Sequence, residues 1–340
     1  MKKHKKILYI GNNLTKHTNY STAMETLSNH LISDDFTVYL SSDKKNKLLR
    51  LIDMCFSIIK YQHKVSYILI DTFSTDSFYF SFITAQLASF FRKKYIPILH
   101  GGNLPDRIKR SPSMSKKLFT KSYKNIAPSH YLKEAFEKEG YAVDYIPNTL
   151  KIEDFQYHKR TKIQPRLLWV RAFKDIYNPT LAIEVLHLVK KEFPEAILCM
   201  VGPEKDHTFK EVLTLTKKYQ LTDSVEFTGV LPKQEWHKKS TGYDVFMNTT
   251  NFDNTPVSIM EAMALGITIV STNAGGMPFL IENNKEGILV EKNNSRLMAE
   301  SIVSLIKDNN NQMAAKARLK AESFDWGIVK HQWFKIFQCV

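Results

Sequence analysis

Residues 253–276 read DNTPVSIMEAMALGITIVSTNAGG. Glu261 stands alone among apolar and small residues there, and a buried carboxylate is costly enough that a fold pairs it, neutralises it or gives it a ligand. Thr255 as N-cap and Pro256 as first helical residue predict a helix that opens at Thr255 and stops at Gly266. Its opening residues, Asn254, Thr255, Pro256 and Val257, then form an expected anion site, because the first N–H groups of a helix have no partner within it. A buried strand is expected over 267–272, followed by the turn Asn273-Ala274-Gly275-Gly276, whose missing side chains let a ligand approach the backbone. A second reading stays open, in which Asp253 only helps to cap the helix and Glu261 meets a buried partner.

Working outward, short β-rich runs alternate with longer helical patterns, the sign of parallel sheets built from βαβ units. Strands are expected at 7–11, 37–41, 67–72, 95–100, 125–128 and 144–146, and again at 167–171, 197–202, 225–229, 245–248, 267–271 and 288–290. The fold class is therefore α/β, with two doubly wound, Rossmann-like parallel-sheet domains. The expected boundaries are 1–148 and 149–325, with residues 147–165 as a polar linker and a helix over about 326–340 carrying Trp326, Val329, Trp333 and Phe337. Ligands of such sheets bind beyond the carboxyl ends of the strands, which predicts a cleft between two facing sheets.

The pattern resembles family 4 glycosyltransferases, also called glycosyl transferases group 1. It rests on two acidic residues eight positions apart, Asp253 and Glu261, then Ala262-Met263-Ala264-Leu265-Gly266 and Gly275-Gly276. It extends more weakly to Ile126-Ala127-Pro128-Ser129, to Tyr145-Ile146-Pro147-Asn148 and to Tyr243-Asp244-Val245. The resemblance implies a GT-B architecture, with the second domain holding a nucleotide-sugar and the first an acceptor. It implies that Glu261 bonds the donor ribose, that Asp253 and Gly275-Gly276 hold the sugar or phosphate side, and that His100 stands near the reaction centre. Gly11 and Gly202, at strand-to-helix turns, join the implied donor-binding set. The first acid is Asp253 where the family has Glu. An ungapped alignment puts Ala172 and Tyr177 where the family has its Arg and Lys, leaving Arg171 and Lys174 as the expected diphosphate cations. A strand-end His100 has a second reading too, as a histidine bonded to a neighbouring backbone carbonyl.

Bulk properties narrow the function. The 340 residues carry a net charge of +14, of which +11 falls in residues 1–150, so the first half is expected to face something anionic. No helix-turn-helix, zinc or RNA-binding signature accompanies this charge, and nucleic acid is not an expected partner. Lys116, Lys117, Lys121 and Lys124, interleaved with Met114, Leu118 and Tyr123, predict a membrane-facing helix instead. Cys55, Cys199 and Cys339 lack zinc or disulfide spacing, no metal-ligand cluster is seen, and no cofactor is expected. No run reaches the roughly 20 apolar residues of a membrane span, and no signal peptide is read at the start. The expected location is the cytoplasm, peripheral on the inner face of the plasma membrane.

The function expected from these features is metal-independent, retaining transfer of a hexose from a nucleoside diphosphate to a glycan or lipid-linked acceptor hydroxyl. A nucleotide-sugar epimerase of the same architecture and a non-catalytic binding subunit are the alternatives.

Overall fold

The computed structural model describes residues 5–13, 22–309 and 312–338. Cys339 and the part of the first turn beyond Asn13 lie outside them. The chain divides into two compact units, one made of residues up to 149 together with those from 326 onward, the other of residues 150–325.

The first unit contains strands β1 (Lys6–Ile10), β2 (Thr37–Ser41), β3 (Tyr67–Thr72), β4 (Lys94–Leu99), β5 (Ile126–Ala127) and β6 (Asp144–Tyr145). They form a parallel sheet in the order β2-β1-β3-β4-β5-β6. The second unit contains β7 (Arg166–Val170), β8 (Ile197–Val201), β9 (Val225–Gly229), β10 (Val245–Asn248), β11 (Thr268–Thr272) and β12 (Gly287–Val290). Their order is β12-β11-β10-β7-β8-β9, again parallel. All twelve expected strands are present, most with ends shifted by a residue.

Each sheet is buried on both faces, which is why its central strands read as unbroken apolar runs. Along β1, Ile7 and Tyr9 enter one core cluster while Leu8 and Ile10 enter the other. The same alternation sends Leu167 and Trp169 of β7 to one side and Leu168 to the opposite side. The helix Trp326–Ile336 buries Trp326, Val329 and Trp333 in the cluster of Ile7 and Tyr9. Trp326 donates to Asp34 Oδ2 at 2.5 Å and stacks on His30, so this helix is held by polar contacts as well as by area.

Two expectations are corrected. The segment 147–165 is not a free linker from residue 150 onward: Leu150, Phe155 and Ile163 are buried in the second unit. Its apparent polarity misled because the Arg160 side chain is itself buried. Arg160 donates to the carbonyls of Tyr243, Ser240 and Gly266 at 2.9, 3.0 and 2.7 Å and lies 3.0 Å from Asp244 Oδ1. Nor does the segment 114–124 present apolar residues outward: Leu118 is fully buried and Met114 and Tyr123 pack against the cores. Its Lys124 pairs with Asp144 at 2.9 Å. Among the described residues no helix is long and apolar enough to cross a membrane.

Replacing Arg160 by Met would orphan those carbonyls and leave Asp244 without its cation. The expected cost is about 3–5 kcal/mol, as for breaking a buried ion pair. A denaturation midpoint that stays at the wild-type value would refute this role.

Candidate active site

In each sheet the strand order reverses beside the first strand of the unit. This happens between β1 and β3 in one unit and between β7 and β10 in the other. Connections leave such a point toward opposite faces and open a crevice at the carboxyl ends of the two strands. The candidate residues cluster there, in two separate groups.

In the second unit Arg171 directly follows β7 and Asp253 lies in the loop after β10. The Arg171 guanidinium is in close contact with Asp253 Oδ2 and lies over the Tyr177 ring, 4.4 Å from its centroid. Two residues of the loop after β10, Thr249 and Asn251, hold the Tyr177 loop in place. Thr249 Oγ1 donates to the Tyr177 carbonyl at 2.8 Å while accepting from Trp169 Nε1, and the Asn251 N–H donates to Ile176. Burial lowers the pKa of Arg171 from its ordinary value, yet a guanidinium keeps its charge at neutral pH. Lys174, the other expected cation, is exposed and is not brought into this group.

The glycines serve a purpose the sequence did not suggest. A Cβ on Gly275, which has φ +57°, would fall 2.1 Å from the Asp253 carbonyl, and one on Gly276 would fall 1.8 Å from the Asn254 carbonyl. Gly276 also donates to the Asp253 carbonyl at 2.9 Å. The space left by the missing side chains is thus filled by the chain's own acidic loop. Gly202 behaves similarly, its absent Cβ giving room to the Arg171 carbonyl.

The helix opens later than expected. It spans Val257–Ala264, with Pro256 at the N-cap and no side chain capping it. Thr255 does not cap it, because extended Pro256 intervenes between Thr255 and the first turn. Gly266, at φ +75°, follows its end. Glu261 is buried, as expected, but it is not unpaired. Lys233 Nζ lies 2.5 Å from Oε1 and His237 Nε2 lies 3.6 Å from Oε2, both from the helix Lys233–Ser240 after β9. These contacts lack hydrogen-bond alignment. Among the described residues, seven buried side-chain N or O atoms have no hydrogen-bond partner, and Arg171 Nε, His237 Nε2, Asp253 Oδ2 and Glu261 Oε1 are four of them. Asp253 Oδ2 and Glu261 Oε1 are met there by cations, whereas Arg171 Nε and His237 Nε2 retain donor or acceptor capacity that a polar ligand can use.

In the first unit His100 follows β4, and its Nε2 lies 2.9 Å from Asp71 Oδ1 at the end of β3. The partner is a carboxylate rather than the backbone carbonyl of the alternative reading. Asp71 was missed by the sequence analysis, although the run Ile68-Leu69-Ile70-Asp71 carried the signal of a carboxylate closing an apolar strand. Tyr9 donates to the same Oδ1 at 2.8 Å, and burial together with Asp71 holds the Tyr9 phenol well above its ordinary pKa, so it remains a donor. A Cβ on Gly11 would meet Asp71 Oδ2 at 2.4 Å. Gly11 therefore makes room for this carboxylate, not directly for a ligand. With Nε2–H held by Asp71, His100 Nδ1 is the nitrogen left to accept a proton.

Comparison with known proteins places the chain in a family and a fold. Residues 151–322 match the family model described as Glycosyl transferases group 1. WcaL of Escherichia coli, provisionally named a colanic acid biosynthesis glycosyltransferase, is 31% identical over 141 residues, which are 38% of this chain and 35% of WcaL. The match thus spans about a third of that relative's length. Anabaena HepE in complex with UDP and glucose superposes with a TM-score of 0.78 at 16% identity, over 99% of this chain and 100% of HepE. Sucrose-phosphate synthase of Thermosynechococcus elongatus gives 0.80 at 14% identity, over 98% of each chain. At these identities the likeness is one of fold, the GT-B class expected from the sequence.

Since the glycine positions are filled by backbone, Gly276→Ala is expected to displace the Asp253 loop and to destabilise the second unit by about 1–3 kcal/mol. A melting temperature equal to that of the wild type would contradict this packing.

Proposed function

The chain belongs to the glycosyl transferases group 1 family, and from that premise we propose that it is a retaining glycosyltransferase. It moves a hexose from a nucleoside diphosphate to an acceptor hydroxyl, in the synthesis of a surface polysaccharide or a lipid-linked glycan. The observation that carries the reading is the pair of buried carboxylates, Asp253 held by Arg171 and Glu261 by Lys233, with Arg171 Nε and His237 Nε2 left without a hydrogen-bond partner beside them, on the loops and helices that follow β7, β9 and β10. A neighbour in fold that was crystallised with UDP and glucose favours a uridine donor. WcaL favours a surface polysaccharide as product.

In this reading the bond from the anomeric carbon to the diphosphate oxygen breaks while a bond to the acceptor oxygen forms on the same face of the sugar. The acceptor proton passes to the departing phosphate oxygen, so no protein nucleophile is required. The leaving diphosphate gains negative charge, and groups already aimed at that charge lower the barrier. Arg171 supplies a cation stacked on Tyr177, and the start of the helix Val257–Ala264, which no side chain caps, supplies N–H groups of the right polarity from Val257 onward, since Asn254 N–H already donates to Asp253 Oδ1 at 2.8 Å and Pro256 has none. Transfer therefore proceeds without a metal ion. Glu261 accepts from the ribose hydroxyls, exchanging its contact with Lys233 for them. Asp253, steadied by Gly275 and Gly276, faces the sugar. In the first unit His100, oriented by Asp71, is the residue proposed to accept a proton. Lys174 stays at the solvent margin.

Tyr177, standing where the family has a lysine, favours a second reading as a non-catalytic nucleotide-binding subunit. Calorimetry with UDP, GDP and their hexose conjugates separates the two when combined with a transfer assay. Selective binding that is lost in Glu261→Ala, with turnover reduced about 10²- to 10³-fold and unchanged by chelators, is the expected result. Absence of nucleotide binding would overturn the donor site, and binding without turnover would establish the second reading. Sugar isomerisation without acceptor would identify an epimerase.

A further inference from the structure

The helix Lys47–Tyr61 in the first unit is apolar on the side that the core does not use. Its inner face buries Met54 and Ile58. Its outer face exposes Leu48, Leu49, Ile52, Phe56 and Ile59, with Phe56 59% exposed. At about 100° per residue these five fall on a single stripe roughly 100° wide. The neighbouring helix Ser77–Phe90 adds Tyr79, Ile83 and Phe90, the last 77% exposed and also on one stripe. Eight of the seventeen exposed large apolar residues among those described belong to these two helices. Isolated surface apolar residues need no explanation, but a concentration of this kind marks an interaction surface.

Charge decides the partner. Lys44, Lys45 and Lys47 stand at the start of the first helix and Lys60 and Lys64 at its end, all exposed. The acidic groups nearby are Asp43, Asp53 and Asp76. Asp43 lies 3.6 Å from Lys44 and Asp76 lies 2.7 Å from Lys47, while Asp53 accepts from Ser41. The rim is positive at both ends, so a second copy would bring lysines against lysines whether the helices ran parallel or antiparallel. A surface with acyl chains below and anionic headgroups around satisfies both the stripe and its rim.

The start of this helix also lies beside the candidate site of its unit. The helix follows β2 and so begins at the carboxyl edge of the sheet, where Arg50 Nη1 donates to Asn12 Oδ1 at 2.9 Å, one residue beyond Gly11. We propose that the outer faces of the helices Lys47–Tyr61 and Ser77–Phe90 form an interfacial membrane-docking surface, selective for anionic lipid, that presents the Gly11 edge of the sheet to a lipid-linked acceptor. The proposal deepens the lipid-linked reading of the acceptor and rests on it only in that last clause, since docking needs neither donor nor acceptor. It replaces segment 114–124 as the membrane face.

The test is flotation of the whole chain with vesicles of phosphatidylcholine alone or mixed with phosphatidylglycerol, at low and high salt. Wild type is expected to bind the mixed vesicles at least tenfold more than the neutral ones. The triple variant Leu48→Ser, Ile52→Ser, Phe56→Ser should lose at least tenfold of that binding while retaining its melting temperature and its nucleotide affinity. The variant Lys45→Glu, Lys64→Glu should lose the preference for anionic vesicles. Three results would overturn the proposal: no vesicle binding by wild type, binding unaltered by the serine variant, or a wild-type dimer in light scattering that the serine variant dissolves. Because nucleotide binding is measured on the same samples, loss of docking and loss of the donor site are read separately.

Discussion

A carboxylate removed from water must be met by a cation or by hydrogen-bond donors, and the two candidate sites are organised around carboxylates of this kind. Asp71, Asp253 and Glu261 are all largely buried at or beyond the carboxyl ends of parallel strands. Desolvation penalises the charged form of each by several kcal/mol unless a partner compensates. Asp71 is met by Tyr9 and His100, Asp253 by Arg171 and Glu261 by Lys233. The partners come from different strands or from the loops after them, so the sheet has to be in register before any of the three is stable. The site and the fold thus depend on the same pairings.

The arrangement around Arg171 explains the departures of this chain from its family pattern. Tyr177, standing where a lysine is the rule, contributes a ring face instead of a charge, and that ring carries the guanidinium of Arg171. An arginine stacked on an aromatic ring and paired with a carboxylate is a better-oriented cation than a free lysine, because its planar fork loses less freedom on binding. The shorter Asp253 is matched by a loop drawn close to Gly275 and Gly276, whose lack of side chains permits the approach. The two departures are consistent with one another, and each is a local repacking of the same crevice.

The first unit combines two kinds of surface that sequence patterns tend to confuse. Residues 114–124 alternate lysine with apolar residues, yet the apolar ones complete the core. Helix Lys47–Tyr61 carries a broad apolar stripe, yet part of that stripe is covered by none of the described residues. Hydropathy measures how much apolar area a helix carries. It does not tell which neighbours are available to bury it.

All twelve strands, the two doubly wound sheets and the acidic and glycine-rich segment were legible in the sequence. Periodicity of two and buried β-branched runs are local properties, and an α/β fold repeats them unit by unit. His100 and Glu261 could be singled out by position, one at the end of an apolar strand and the other inside an apolar helix, whereas Asp253 and Arg171 were singled out through the resemblance to the family pattern. Their partners could not. Lys233 and His237 lie in a helix without marked polarity of pattern, and Asp71 precedes His100 by 29 residues. Contacts between residues distant in sequence are made by strand order and loop packing, which carry no local signature. For the same reason only the tertiary structure decided that Gly11, Gly275 and Gly276 make room for the protein's own groups, that Arg160 is buried and that the helix Lys47–Tyr61 leaves part of its apolar stripe uncovered by the described residues.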